Sequence, residues 1–260
     1  MTPTLTTYRY GPDEPVRLLA LHGLTGHGKR WPPLLDEHLP EVSALAPDLL
    51  GHGRSPAPAP WSLEAHADAV AAVLDEAATG PLVVVAHSFG GAIALHLAAR
   101  RPDLVTSLVL LDPAIGLDGD WMRQIAEQMV AYPDYTDRAE AKSDKVAGSW
   151  SDVPDQVVET ELDEHLIPLP NGRWGWRMNL PAVVTAWSEL ARDIALPANS
   201  IRVTLLRATR TSPPYVTTEL IDALRVRLGD RFELIDVDCD HMVSQSRPAE
   251  TAAAIRSHLT

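Results

Sequence analysis

Val83-Val84-Val85-Ala86-His87-Ser88-Phe89-Gly90-Gly91 is the stretch on which the reading of this chain turns. Its four apolar residues, Val83 to Ala86, predict a buried strand, and Gly90-Gly91 open an alanine-rich helical run, Ala92 to Ala99. Ser88 then sits on a sharp strand-to-helix turn. There its hydroxyl projects past the sheet edge, while the unpaired N–H groups and positive dipole end of the helix aim at the same point. That is where a nucleophile would be placed. The usual pattern for such a turn is G-x-S-x-G; here Ala86 holds the first position, and a methyl group fits there. Five residues alone are a weak match that a helix-capping serine also satisfies, so the surrounding chain has to decide.

Upstream, Val16 to Leu21 reads as a central strand ending in His22-Gly23-Leu24-Thr25-Gly26. A glycine-rich turn after a buried strand lets backbone approach a ligand closely, and the N–H of Leu24 could face a developing negative oxygen. An ordinary loop fits the same residues. Before that strand, Leu5 to Tyr10 reads as an edge strand. After it come a helical pattern over Trp31–Leu39 and a short strand, Val42 to Pro47, which leads into Asp48-Leu49-Leu50-Gly51-His52-Gly53-Arg54-Ser55. Downstream of that motif, Ser62 caps a helix running to Gly80-Pro81, and beyond the serine turn a strand, Leu104 to Leu111, ends at Asp112-Pro113.

Taken in order, H-G-x at residue 22, D-x-x-G-H-G-x-S at residue 48 and the serine turn resemble the α/β-hydrolase superfamily, in its branch that carries a lid. The resemblance covers nearly the whole chain except its middle. It implies an α/β fold, a mostly parallel central sheet flanked by helices, with a core formed by residues 1–113 and 181–260. From 114 to 180 apolar runs of strand length disappear, and four of the seven tryptophans, Trp121, Trp150, Trp174 and Trp176, lie there. Such folds insert a lid after the strand that here ends near Asp112, so 114–180 is expected to be a lid subdomain. Its tryptophans, with Met122, Met129 and Met178, could wall a substrate pocket or simply pack the lid on the core. The core resumes with a helix at Ala182–Arg192, a strand at Ile201–Leu206, a helix at Val216–Leu228, a last strand at Phe232–Val237 and a final helix from about Pro248.

A serine hydroxyl needs a base as it attacks, and imidazole titrates in the right range. Of ten histidines, His241 follows the last strand, where the superfamily keeps its catalytic histidine, and Ser88 precedes it in the chain as the resemblance requires. His22 and His52 are expected to hold loop backbone and His87 to pack under the turn. His27, His38, His66, His96, His165 and His258 read as surface or helix residues. A carboxylate must fix the imidazole's tautomer. The family's commoner position, after the strand ending at Leu206, holds Ala208-Thr209-Arg210-Thr211-Ser212-Pro213-Pro214 and no acid. Its other position falls on Asp112, which becomes the expected acid. Asp240, Asp236 and Asp238 are rivals near the histidine, and Asp112 could instead cap the turn before Pro113. The resemblance assigns the oxyanion-stabilising N–H groups to Leu24 and Phe89, and the chemistry needs neither metal nor organic cofactor.

The totals narrow the partners. A formal charge of −13 repels nucleic acid phosphates and anionic membrane surfaces. No apolar run nears the ~20 residues of a bilayer span, and Met1–Thr7 lacks the basic and apolar regions of a signal peptide. A soluble, cytoplasmic protein is the expectation. The lone Cys239 has no partner for a disulfide or zinc site and reads as a small core residue. Family members that open epoxides or displace halide use aspartate at the nucleophile position, so Ser88 points to acyl transfer. An apolar carboxylic ester is the leading substrate. Lactones, thioesters and carbon–carbon bonds of ring-cleavage products are open to the same triad, and a non-catalytic ligand sensor on this fold is the alternative of another class. Oligomeric state is not legible.

Overall fold

The computed structural model describes residues 3–259; the first two residues of the polar opening and Thr260 lie outside them. The chain runs through β1 (Thr7–Tyr10), β2 (Leu18–Leu21), α1 (Pro32–His38), β3 (Ala44–Pro47), α2 (Leu63–Ala77), β4 (Leu82–His87), α3 (Phe89–Arg100) and β5 (Val105–Leu111). There follow α4 (Gly119–Ala131), α5 (Arg138–Ala147), α6 (Asp155–His165), β6 (Leu166–Pro168), β7 (Trp174–Trp176) and α7 (Leu180–Glu189). β8 (Arg202–Ala208), α8 (Thr218–Leu228), β9 (Phe232–Val237), α9 (Val243–Ser246) and α10 (Pro248–Arg256) complete it.

Among the described residues, seven strands form one sheet in the order β1-β3-β2-β4-β5-β8-β9, antiparallel at β1 and parallel elsewhere. The central strands are buried on both faces, which explains their unbroken apolar runs. Alternation then divides their side chains between two cores. Val84, Ala86, Leu108 and Leu110 join Phe89, Ile93 and Leu97 on one face. Val83, Val85, Val109 and Leu111 meet Leu34, Leu35 and Ile255 on the other.

Register decides what gathers at the carboxyl edge. Leu21 pairs with Ala86, His87 with Leu111, and Leu111 with Leu206. The residues that follow the ends of β2, β4 and β5, namely His22, Ser88 and Asp112, therefore emerge close together at this edge, while β8 continues through Arg207 to Ala208. Ligands of open α/β sheets collect at this edge.

The segment between β5 and α7 holds the helices α4, α5 and α6, and also a β6–β7 hairpin that the sequence reading lacks. With three residues per strand, the hairpin has no alternation to detect. α4 packs on α7 and the main core. The rest of the segment has a small core of its own, including Trp150, Val158 and Leu162, which recruits Met242 from beside His241. Polar ties reinforce this junction. Asp152 accepts from the Asp240 N–H at 3.0 Å and the Ser246 hydroxyl at 2.7 Å, and Ser151 donates to Asp240 at 2.7 Å. Further away, Glu161 on α6 receives a two-armed contact from Arg30, Nη2–Oε1 2.5 Å and Nε–Oε2 3.1 Å.

Candidate active site

Ser88 occupies the junction of β4 and α3 with φ 52° and ψ −118°, a conformation costly for any residue with a side chain. The surroundings hold it there. Its N–H donates to Leu111, and its carbonyl accepts from Gly91 at 2.8 Å and Ala114 at 3.2 Å. Gly90 and Gly91 are dictated by space: a Cβ on Gly90 would lie 2.6 Å from the carbonyl oxygens of Leu21 and His22, and one on Gly91 2.6 Å from Pro113. The first turn of α3 can thus press against the ends of β2 and β5. Phe89 is its first residue, and its N–H is among those with no helical acceptor.

The loop after β2 lies directly against this turn. A Cβ on Gly23 would fall 2.9 Å from both Ser88 Cβ and His87 Nδ1, so only glycine lets the backbone carrying Leu24 come so close. His22 braces the loop: its Nδ1–H donates to the Gly23 carbonyl at 2.8 Å, and its Nε2 accepts from the Leu49 N–H at 3.0 Å. Burial holds its pKa well below the ordinary histidine value, so it stays neutral and fixed in that tautomer. His52 donates to Leu50 at 2.9 Å. Asp48 accepts from the N–H groups of Gly28 (2.6 Å) and Arg54 (2.7 Å), holding the second motif's turn.

Across the edge, His241 Nδ1 lies 2.6 Å from Asp112 Oδ2. Asp112 is 1% exposed, and its other oxygen accepts from the Ala208 N–H at 3.1 Å. The end of β8, which lacks an acid of its own, thus supplies a backbone donor that orients the acid from β5. Because the carboxylate can only accept, Nδ1 carries the proton and Nε2 is left with its lone pair. The rival acids are engaged elsewhere. Asp240 accepts from the backbone N–H of His241 at 2.7 Å, while Asp236 and Asp238 pair with Arg207 and Arg210.

Two rings support His241. His87 Nε2–H donates to the His241 carbonyl at 2.8 Å, with ring centroids 4.6 Å apart. Tyr215 lies 4.3 Å from the imidazole and is itself stacked on Trp121 at 5.3 Å. Tyr215 has no role in the sequence reading, since it stands in a proline-containing loop with no recognisable spacing.

A cavity of about 660 Å³ is lined mostly by the segment between β5 and α7, with Thr25, the residue after Leu24, also in its wall. Ser88 and His241 themselves are not among its lining residues. Of the four tryptophans expected in a pocket, Trp150 and Trp176 line it, joined by Met129, Met178 and Trp187. Trp121 is committed to Tyr215, and Trp174 to the hairpin and a bridge with Tyr135. Of the histidines expected to be surface or helix residues, His66, His96 and His165 do lie on helices, but a surface position is corrected for these three and for His27: all four are buried. His27 and His165 stack at 4.6 Å because the inserted segment covers that side of the core, and His66 meets the Phe89 ring edge-on where α2 packs on α3.

A family model described as the alpha/beta hydrolase family matches residues 18–254. Lipase LipV of Mycobacterium tuberculosis is 57% identical over 98% of this chain and 97% of its own. Among solved structures, E-2-(acetamidomethylene)succinate hydrolase superposes with a TM-score of 0.81 at 22% identity, covering 98% of this chain and 94% of that one. An esterase from a marine microorganism gives 0.78 at 18%, covering 98% and 99%. At such identities these two structures speak to the fold alone.

Proposed function

Because the chain belongs to the α/β-hydrolase family, as a carboxylic ester hydrolase, we propose that it works through an acyl-enzyme on Ser88, with His241 as base and Asp112 as acid. The observation that carries this reading is the 2.6 Å contact between His241 and a buried carboxylate, at the edge from which the strained Ser88 turn projects. Imidazole Nε2 takes the hydroxyl proton as Oγ attacks the ester carbonyl, and Asp112 stabilises the imidazolium that results. The oxygen of the tetrahedral intermediate is received by the N–H groups of Phe89 and Leu24, already held by α3 and by the His22-braced loop. Collapse passes the proton to the departing alcohol. Water, deprotonated by His241, then releases the acid and restores Ser88.

The cavity's mixture of tryptophan and methionine favours an apolar acyl or alcohol group beside the reacting carbonyl. Residues 114–180 act in this reading as a cap over that cavity. The test is hydrolysis of a chain-length series of p-nitrophenyl esters by the wild type, Ser88→Ala and Asp112→Asn, with covalent labelling by an alkyl fluorophosphonate. Loss of both turnover and label in Ser88→Ala is expected. Persistent turnover in folded Ser88→Ala would sink the proposal.

A further inference from the structure

Lys145, in the last turn of α5, reaches the wall of the cavity with only 7% of its side chain exposed. Its Nζ lies 4.3 Å from the centre of the Trp150 ring, 4.1 Å from that of Trp176, and 3.2 Å from Glu161 Oε1. Glu161 is the nearby counter-charge, and it is already engaged. Arg30 takes both oxygens, and His27 Nε2 lies 2.9 Å from Oε2. Four contacts fill what one carboxylate can accept. Arg30 and Lys145 thus share Glu161 as their one buried carboxylate, while the exposed Asp144 carboxylate also acts on the Lys145 ammonium. Burial keeps the stacked His165 neutral, so it does not change this balance. Asp144 also lines the cavity, but from an exposed position, with one oxygen accepting from the Tyr135 hydroxyl at 2.8 Å.

Buried charges are ordinarily balanced, and aromatic faces compensate a cation only in part. Lys145 has only partial compensation: burial pushes its ammonium down to about 8, against the opposing pull of Glu161 and Asp144. A single ammonium between indole faces is a point charge suited to a monoanion on an apolar chain, rather than to a dianion needing several donors.

We propose that Lys145 is a specificity-determining residue that binds a carboxylate on the substrate, so that the preferred substrates are esters with a carboxylate at the far end of the acyl or alcohol half. The proposal rests on the esterase reading above. The protein's net charge of −13 repels anions in general. A preference for acidic esters therefore has to come from a local site.

The experiment compares kcat/KM for monomethyl and dimethyl esters of the dicarboxylic acids from succinate to suberate. Acetate esters of ω-hydroxy acids, set against those of the matching n-alcohols, form a second arm that separates an acidic acyl half from an acidic alcohol half. At one chain length the wild type should favour the acidic ester at least tenfold, mainly through KM. Lys145→Met, which leaves Arg30 and Glu161 balanced, should bring the ratio to one or below, and Lys145→Arg should recover part of it. Calorimetry of adipate and suberate binding to Ser88→Ala, with and without Lys145→Met, reads the site without turnover. Ser88-dependent hydrolysis of neutral esters with no acidic preference in either arm, or a preference unchanged in Lys145→Met, overturns the proposal and leaves the esterase reading standing. Lys145-dependent binding of dicarboxylate in a protein that hydrolyses no ester upholds the site and overturns the esterase reading.

Discussion

Asp112 shows how much one side chain can carry. In the proposed mechanism its carboxylate sets the His241 tautomer and offsets the imidazolium charge, and an amide can do neither reliably. In Asp112→Asn, kcat should fall by about 10³–10⁴ with KM little changed, because the lost stabilisation belongs to the transition state. Near-normal kcat in the folded variant would mean that another acid serves His241. Ser88, His241 and Asp112 stood out in the sequence through the family resemblance, which ties those roles to particular strand ends in a particular chain order. Tyr215 and Lys145 carried no such signal. Their importance comes from what packs against them, the imidazole in one case and two indoles in the other, and of these His241 and Trp176 are distant in sequence from the residues they meet.

Strand and loop ends set the precision of the site. The burial of β4 and β5 on both faces was legible because central parallel strands are apolar throughout, whereas the three-residue strands of the hairpin left no pattern. Histidines on α2 and α6 were misread for a related reason. Helix position predicts which face a residue shares, but the neighbouring helix decides whether that face sees water. Gly23 belongs to this scale, since it sets the distance between two elements. In Gly23→Ala the new Cβ would sit 2.9 Å from Ser88 Cβ, and either the loop or the serine turn must yield. A displacement approaching 1 Å can cost about 10²-fold in rate. Esterase activity should therefore drop by about that factor, while far-UV circular dichroism stays unchanged. Full activity would show that the loop is not in working contact with the turn.

For the molecule as a whole, buried neutral imidazoles make stability depend on pH. Burial lowers His22, His87 and His165 well below the ordinary value, His52 to about 4 and His66 to about 3. The unfolded chain therefore binds more protons once pH drops below about 6.5, and stability must fall from there downward. Each such group contributes up to about 1.4 kcal/mol per pH unit. Urea unfolding between pH 7.5 and 5 should show a steady loss. His66→Leu should reduce the slope by about one proton, since both ring nitrogens of His66 lack a partner among the described residues. An unchanged slope in that variant would mean that His66 is already protonated in the folded state.

The clasp between Arg30 and Glu161, with Asp152 gripping the histidine loop, has a bearing on how the enzyme meets oily substrates. Separating a buried ion pair costs about 3–5 kcal/mol, and contact with a droplet surface offers Glu161 no replacement partner. If residues 114–180 act as the proposed cap, that cap is expected to stay shut and to take its substrate from solution. Interfacial activation should be absent: with tributyrin, velocity should rise smoothly through the solubility limit, and a step there would show that the clasp opens. A lipase-like chain fastened in this way would act as an enzyme of dissolved esters, blind to the emulsion.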